Sequence, residues 1–290
     1  MRSNPVDAVD AYYADVADWC LGLLGNQLGA VGSSGTRGPR GAGALVIGIN
    51  APQGAGKSTL VRWLEARLAL DGLRVVGVSI DDFYRTRLEL EALAQAHPDN
   101  RYLGQRGYPG THDIALGNAT LDALVSASDG QIVSVPVYDK SAHGGLGDRM
   151  PGGAWRQVTG PVDVVLFEGW MLGFVPVGVS KTTDLALAEV DRLLVDYAPW
   201  RDRLGAMLQL IAADPRSVID WRMEAEAKMR AQGRPGLSDA AIRDYIERFL
   251  PAYTVWPEGL RADPPVPERH ATLVIGADRL PVSRAGWRGQ

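Results

Sequence analysis

The sequence predicts an α/β fold of three layers, with a mostly parallel sheet between two layers of helices. Three observations predict it. Short apolar runs rich in β-branched residues alternate with segments of helical periodicity, the pattern of parallel strands joined by crossover helices. The first run, 44–50, leads at once into a glycine-bearing turn that closes on Gly56-Lys57-Ser58 and opens a helix. The runs 73–80 and 162–169 lead into or contain carboxylates at their ends, Asp81 and Glu168, and parallel sheets seat their ligands at those ends.

The elements come in order along the chain. Residues 5–30 read as an amphipathic helix, with Val6, Val9, Tyr13, Val16, Leu21 and Leu24 at about helical spacing. Residues 31–43, rich in Gly, Ser, Pro and Arg, read as a flexible linker, which makes 1–43 an extension and 44–290 the main domain. The run 44–50 reads as a buried parallel strand, 58–72 as a helix ending in Gly72, and 73–80 as a second buried strand. Residues 113–127 read as a helix capped by Asp113, 131–137 as a strand and 162–169 as another buried strand. The periodicity predicts helices over 188–212 and 238–250 and a last strand over 271–278.

Composition narrows the function classes. The 290 residues suffice for one large domain or at most two small ones, and 46% hydrophobic against 22% charged residues allows a sizeable core. A formal charge of −4 gives no bulk electrostatic reason to bind nucleic acid or an anionic membrane, so an anionic ligand must be held by local basic groups. The aromatic residues lack the basic interleaving of a nucleic-acid stacking platform. Cys20 is the one cysteine, so no intramolecular disulfide forms and a reducing, cytoplasmic setting is expected. The N-terminus carries Asp7, Asp10, Asp15 and Asp18 where a signal peptide has a basic start and an apolar run, and no apolar stretch approaches a membrane span. The sequence leaves the oligomeric state open.

The turn Ala51-Pro52-Gln53-Gly54-Ala55-Gly56-Lys57-Ser58 is a P-loop with Ala51 in place of the first glycine. Glycines let the backbone curl so that N–H groups point at phosphate oxygens, and the helix N-terminus adds its positive end. Gln53, Gly54, Ala55, Gly56, Lys57, Ser58 and Thr59 are therefore the expected nucleotide contacts, with Lys57 on the β- and γ-phosphates and the Ser58 hydroxyl on Mg²⁺. The fold is then that of the P-loop NTPases, with ATP and Mg²⁺ as cofactors.

Carboxylates beside a phosphate loop need a cation or a hydroxyl to offset repulsion. Asp81 reads as the acceptor of a substrate hydroxyl proton, and Asp82 either joins the substrate site or caps the turn. Glu168, after four apolar residues, reads as an acid that holds Mg²⁺. Tyr84, Arg106, Thr111, His112, Tyr138, Lys140, His143 and Arg149 lie in turn-rich segments after these strands and suit a small, oxygen-rich, anionic substrate. A basic helix around 221–230 reads as part of a lid over 214–236. Its pairs Glu224–Lys228 and Glu226–Arg230 fall at i,i+4 and leave Arg222 as the cation for phosphate.

Taken in order, APQGAGKSTL, SIDDFY, RGYPGTHD, VPVYDKSAHGG, FEGWMLGF and WRMEAEAKMR resemble the D-glycerate 3-kinase family of plants and fungi and its bacterial relatives, within the wider group of uridine kinase, phosphoribulokinase and pantothenate kinase. The resemblance spans roughly 44–278. It implies phosphoryl transfer from Mg·ATP to a glycerate hydroxyl, with Asp81 as the base and Glu168 as the acid of the strand-end motif. It aligns Tyr138 through His143 with a substrate-contacting segment in which uridine kinases carry an aromatic residue where Lys140 stands. The alternatives are a kinase of the same group acting on uridine, pantothenate or another small alcohol, and a nucleotide-dependent switch or chaperone ATPase.

Overall fold

The computed structural model describes residues 5–25, 43–178, 184–231, 243 and 246–286. Helix α1 (Pro5–Gly25) turns Tyr12, Tyr13, Val16, Ala17, Cys20 and Leu24 inward, one stripe at helical spacing. The segment expected to end this helix beyond Gly25, and the expected linker up to residue 42, lie outside the described residues. Strand β1 (Leu45–Asn50) is buried at all six positions, as a strand covered on both faces must be. Helix α2 (Lys57–Ala69) buries Leu60, Val61, Leu64 and Leu68, and its Trp63 meets Tyr13 of α1 edge-on at 5.6 Å between ring centroids.

Strand β2 (Val75–Ser79) gives way to a 3₁₀ turn, Ile80–Phe83. Helix α3 (Arg87–Ala96) starts on a capping box in which the Thr86 hydroxyl and the Glu89 carboxylate serve each other's backbone N–H. Helix α4 (Ile114–Ser126) starts on Asp113, whose carboxylate accepts the Leu116 N–H at 3.0 Å, as the sequence predicts. Strand β3 (Ile132–Val135) pairs antiparallel with β6 (Arg156–Thr159) in a ribbon of its own, outside the main sheet. Between them the two-residue strands β4 (Tyr138–Asp139) and β5 (Asp148–Arg149) close a small loop.

Strand β7 (Val164–Gly169) is again buried throughout. The single helix predicted over 188–212 is not present. Helix α5 (Leu185–Leu193), a 3₁₀ turn at Leu194–Tyr197 and helix α6 (Ala198–Asp202) come first, and then β8 (Ala206–Ala212) runs down the middle of the sheet. A strand buried on both faces has no polar face, so its apolar run carries no period that separates it from a buried helix. Helix α7 (Ser217–Ala231) comes next. Of the predicted helix over 238–250, residues 243 and 246–250 are described and the others lie outside the described residues, as do residues 232–236 of the expected lid. Helices α8 (Leu250–Val255) and α9 (Pro257–Ala262) lead to strands β9 (His270–Ile275) and β10 (Pro281–Ala285).

The main sheet has the order β10-β9-β8-β1-β7-β2. All neighbours are parallel except the β9–β10 hairpin. Helices flank the sheet, which is the P-loop kinase arrangement the sequence predicts. β1 stands where the order turns, with β7 on one side and β8 on the other, so the loop after Asn50 emerges at the sheet's switch point. No described helix is long and apolar enough to cross a membrane.

Candidate active site

The loop from Ala51 to Ser58 curls because two of its glycines take left-handed backbone, Gly54 at φ +77° and Gly56 at φ +92°. Gly56 is also the N-cap of α2, so Lys57 and Ser58 stand in the first turn, where backbone N–H groups have no partner within the helix. A side chain at Gly54 would come within 2.7 Å of Trp221 Cβ. Ala51 is fully buried and keeps ordinary negative φ, so the loop loses nothing by lacking a glycine there. Ala55 is buried beneath the loop, and the Thr59 N–H turns back to Gly56 O at 3.0 Å. The Gln53 N–H donates to the Tyr253 hydroxyl at 3.2 Å.

The strand ends set the acids. Glu168 lies opposite Ile49 in the β1–β7 ladder, one position before the end of β1. Its Oε1 accepts the Ser58 hydroxyl at 2.7 Å, and Lys57 Nζ stands 4.0 Å from Oε2. Glu168 is 5% exposed and Oε2 makes no hydrogen bond among the described residues. A buried carboxylate oxygen without a hydrogen bond, beside a hydroxyl and an ammonium, fits a divalent cation carried by phosphate. Among the described residues no group of three or more His, Cys, Asp or Glu is arranged to hold a metal by itself. Ser58 and Glu168 are the groups here that could contribute to holding such a cation.

Asp81 and Asp82 sit in the 3₁₀ turn after β2. Ser79 caps this turn, its hydroxyl accepting the Asp81 N–H at 3.3 Å while Asp82 Oδ2 accepts the Ser79 N–H at 3.4 Å. Asp82 therefore does cap the turn, as one of the two readings has it. Asp81 pairs with Lys140 Nζ at 2.5 Å. Burial opposes the charge of Asp81, but Lys140 and Lys57 overcome it and hold the carboxyl well below the usual range. Burial, and then the charge of Asp81, push Asp82 up to about 6.

The segment 107–113 lies against this turn. Arg85 N–H donates to Thr111 O and Asp113 N–H to Phe83 O, and Tyr84 bridges His112 between them. The His112 ring stacks on Tyr84 with centroids 4.4 Å apart, and its Nδ1 is 2.8 Å from the Tyr197 hydroxyl. Burial drops its pKa to about 3, so the ring is neutral. Tyr84 meets Tyr138 edge-on at 5.3 Å, and the Tyr138 hydroxyl is buried without a hydrogen bond among the described residues.

Lys140, His112, Tyr84 and Tyr138 thus gather around Asp81 or its turn. Other predicted contacts have their polar groups engaged within the protein. Arg106 donates to the carbonyls of Lys140, Gly145 and Leu146 and holds that loop in shape. Arg149 donates to Tyr84 O at 2.8 Å and pairs with Asp113 at 3.2 Å. The Thr111 hydroxyl donates to Tyr108 O at 2.6 Å inside its own turn. His143 faces Asp148 at 3.3 Å. In α7, Lys228 pairs with Glu224 as predicted, but Glu226 pairs with Arg222 at 2.6 Å, so Arg222 is not the odd cation that the spacing suggested.

Three groups escape the sequence reading. Arg279, in the β9–β10 turn at φ +65°, donates Nε to Gly54 O at 2.9 Å and pairs with Glu224 of α7 at 2.8 Å. Its guanidinium lies 5.5 Å from the centroid of the Trp221 ring, whose Nε1 donates to Ala277 O at 2.6 Å. Asn50 donates to Trp170 O and Leu172 O and fixes the chain after β7. Tyr197 holds His112. Asn50 could have been found as a polar residue ending an apolar strand; nothing local marks the other two.

Residues 46–193 match the model of the phosphoribulokinase / uridine kinase family. The chain is 37% identical over 278 residues to the chloroplastic D-glycerate 3-kinase of Arabidopsis thaliana, an alignment covering 93% of this chain and 60% of that protein's length. It is 33% identical over 249 residues to the uncharacterized kinase mug58 of Schizosaccharomyces pombe, covering 82% of this chain and 90% of the relative. The solved D-glycerate 3-kinase of Cryptococcus neoformans superposes with a TM-score of 0.82 at 29% identity, over 95% of this chain and 99% of that one.

Proposed function

The chain belongs to the phosphoribulokinase / uridine kinase family, and from that premise we propose that it transfers the γ-phosphate of Mg·ATP to a hydroxyl of D-glycerate. The observation that carries the reading is the contact between Lys140 and Asp81 beside the phosphate loop. It joins the group a hydroxy acid needs for its carboxylate to the group its hydroxyl needs for its proton. Lys57 and the backbone N–H groups of 53–59 hold the phosphates. Ser58 and Glu168 hold Mg²⁺, which when bound offsets the phosphate charge.

The low pKa of Asp81 makes it a poor base while Lys140 sits on it. An incoming carboxylate competes for Lys140, and the loss of that cation raises the basicity of Asp81 only in the complex. The acceptor oxygen then attacks the γ-phosphorus, the bond to the β,γ-bridging oxygen breaks and the hydroxyl proton passes to Asp81, leaving ADP and phosphoglycerate. His112, Tyr84 and Tyr138 complete the acceptor side of the site. Asp82, Arg106, Thr111, His143 and Arg149 support it from the surrounding turns, while Arg222, paired with Glu226 on α7, stands next to Gly54 of the phosphate loop on the nucleotide side. The single buried Cys20 fits a reducing compartment such as the cytoplasm.

A substrate panel with an ADP readout tests the assignment. D-glycerate should give a higher kcat/KM than uridine or pantothenate. A higher value for uridine would sink the substrate and spare the kinase class. ADP release at one rate with or without any acceptor would instead mark a nucleotide switch.

A further inference from the structure

The Tyr197 hydroxyl oxygen accepts the backbone N–H of Gly110 at 3.0 Å. Gly110 occupies one lone pair, and the phenol's own proton has one nearby acceptor among the described residues, His112 Nδ1 at 2.8 Å. Nδ1 therefore accepts, and in a neutral ring the proton resides on Nε2. The ring is 1% exposed, and Nε2 has no hydrogen-bond partner among the described residues. Stacking on Tyr84 and edge contacts with Tyr197 and Trp200, at 5.6 and 5.8 Å between centroids, hold the ring in this orientation. A buried donor left unpaired is costly, so one held this firmly needs a partner beyond the described residues, a water or a ligand atom.

We propose that Tyr197 is a positioning residue that locks His112 as the Nε2–H tautomer, so that His112 offers a neutral hydrogen-bond donor to an oxygen of the acceptor beside Asp81. The inference rests on the hydroxy-acid reading above and adds the specificity device to it. The neutrality of the ring matters. The charged groups that act on the ring are Asp81, which favours its protonation, and Arg85, which with burial opposes it. A charged imidazolium would compete with the substrate hydroxyl for Asp81. A neutral N–H orients an oxygen without drawing off the charge of the base.

The full-length chain with ¹⁵N-labelled histidine carries four imidazoles, and the His112 signals are those lost in His112→Gln. By NMR at neutral pH, without ligands, His112 should have a bare Nδ1 and a protonated Nε2. Tyr197→Phe should shift it toward a mixture of tautomers. In kinetics, Tyr197→Phe should raise the KM of the acceptor about tenfold and leave that of ATP unchanged. His112→Gln, whose amide reaches the Nε2 position, should keep more kcat/KM than His112→Asn, whose amide matches Nδ1. A wild-type His112 protonated on Nδ1 overturns the proposal, and so does a Tyr197→Phe variant with a shifted tautomer and an unchanged acceptor KM. An Nε2–H tautomer in a protein that does not phosphorylate D-glycerate, while another panel alcohol moves the Nε2 resonance, supports the lock and sinks only the substrate.

Discussion

Asp81 and Asp82 are neighbours in the chain with opposite electrostatic surroundings. Burial weighs on both, but two lysines answer it at Asp81, whereas at Asp82 the charge of Asp81 adds to it. Asp81→Asn should keep the shape of the turn and lose kcat by roughly 10²–10⁴-fold, with little change in the KM for ATP. Asp82→Asn should cost far less activity, since its carboxylate serves the Ser79 N–H. Single-turnover kinetics on the two variants checks the division of labour; normal chemistry in Asp81→Asn with loss in Asp82→Asn would reverse it. Asp82 also carries a stability signature. Its folded pKa of about 6 lies above the unfolded value of about 4, so between those pH values the folded state binds more protons and stability falls as pH rises. Asp82→Asn should remove that fall, seen as a smaller loss of urea midpoint from pH 4 to pH 6 than in wild type. Asp81 works in the opposite sense, giving stability that is present above about pH 4 and lost on acidification below it.

Arg279 links two elements that the phosphate loop depends on. It reaches Gly54 O, across 225 residues of chain, and Glu224 of α7, so the hairpin, the loop and α7 share one guanidinium. Arg279→Ala should raise the KM for ATP several-fold with a smaller effect on kcat, since the loop loses an anchor and no reacting group. Glu224→Gln should do less, because the bond to Gly54 O survives. Equal ATP affinity in Arg279→Ala and wild type, by titration calorimetry, would contradict this. At this scale much was legible. LVIGIN and VVLFEG declare themselves by unbroken apolar runs, and Gly56-Lys57-Ser58 marks the turn after LVIGIN as a phosphate loop opening a helix. Asp113 was legible as a cap because the partner it needs lies three residues away. Arg279 was not, because a contact across most of the chain leaves no local mark. Lys140 could be read as a cation for an anionic ligand, but not as the partner of Asp81.

The whole molecule turns on which strands flank β1. Helix α1 belongs to the same core, since Tyr13, Val16 and Leu24 bury with the sheet residues, and Arg284 of β10 pairs with Asp15. β8 was the costliest misreading, because carrying the helix of 188–212 through 206–212 removes a direct neighbour of β1. The arrangement has a consequence in time. β1 emerges early in synthesis, yet both of its sheet partners, β7 and β8, belong to the second half of the chain. The phosphate loop has no floor until those strands are made, and LVIGIN must wait unpaired. Such a run is prone to stick to other chains while it waits. A nascent chain halted before residue 164 therefore carries the phosphate loop on a strand with neither neighbour, and the step that commits the molecule to its fold is the closing of long-range parallel strands, an intrinsically slow event.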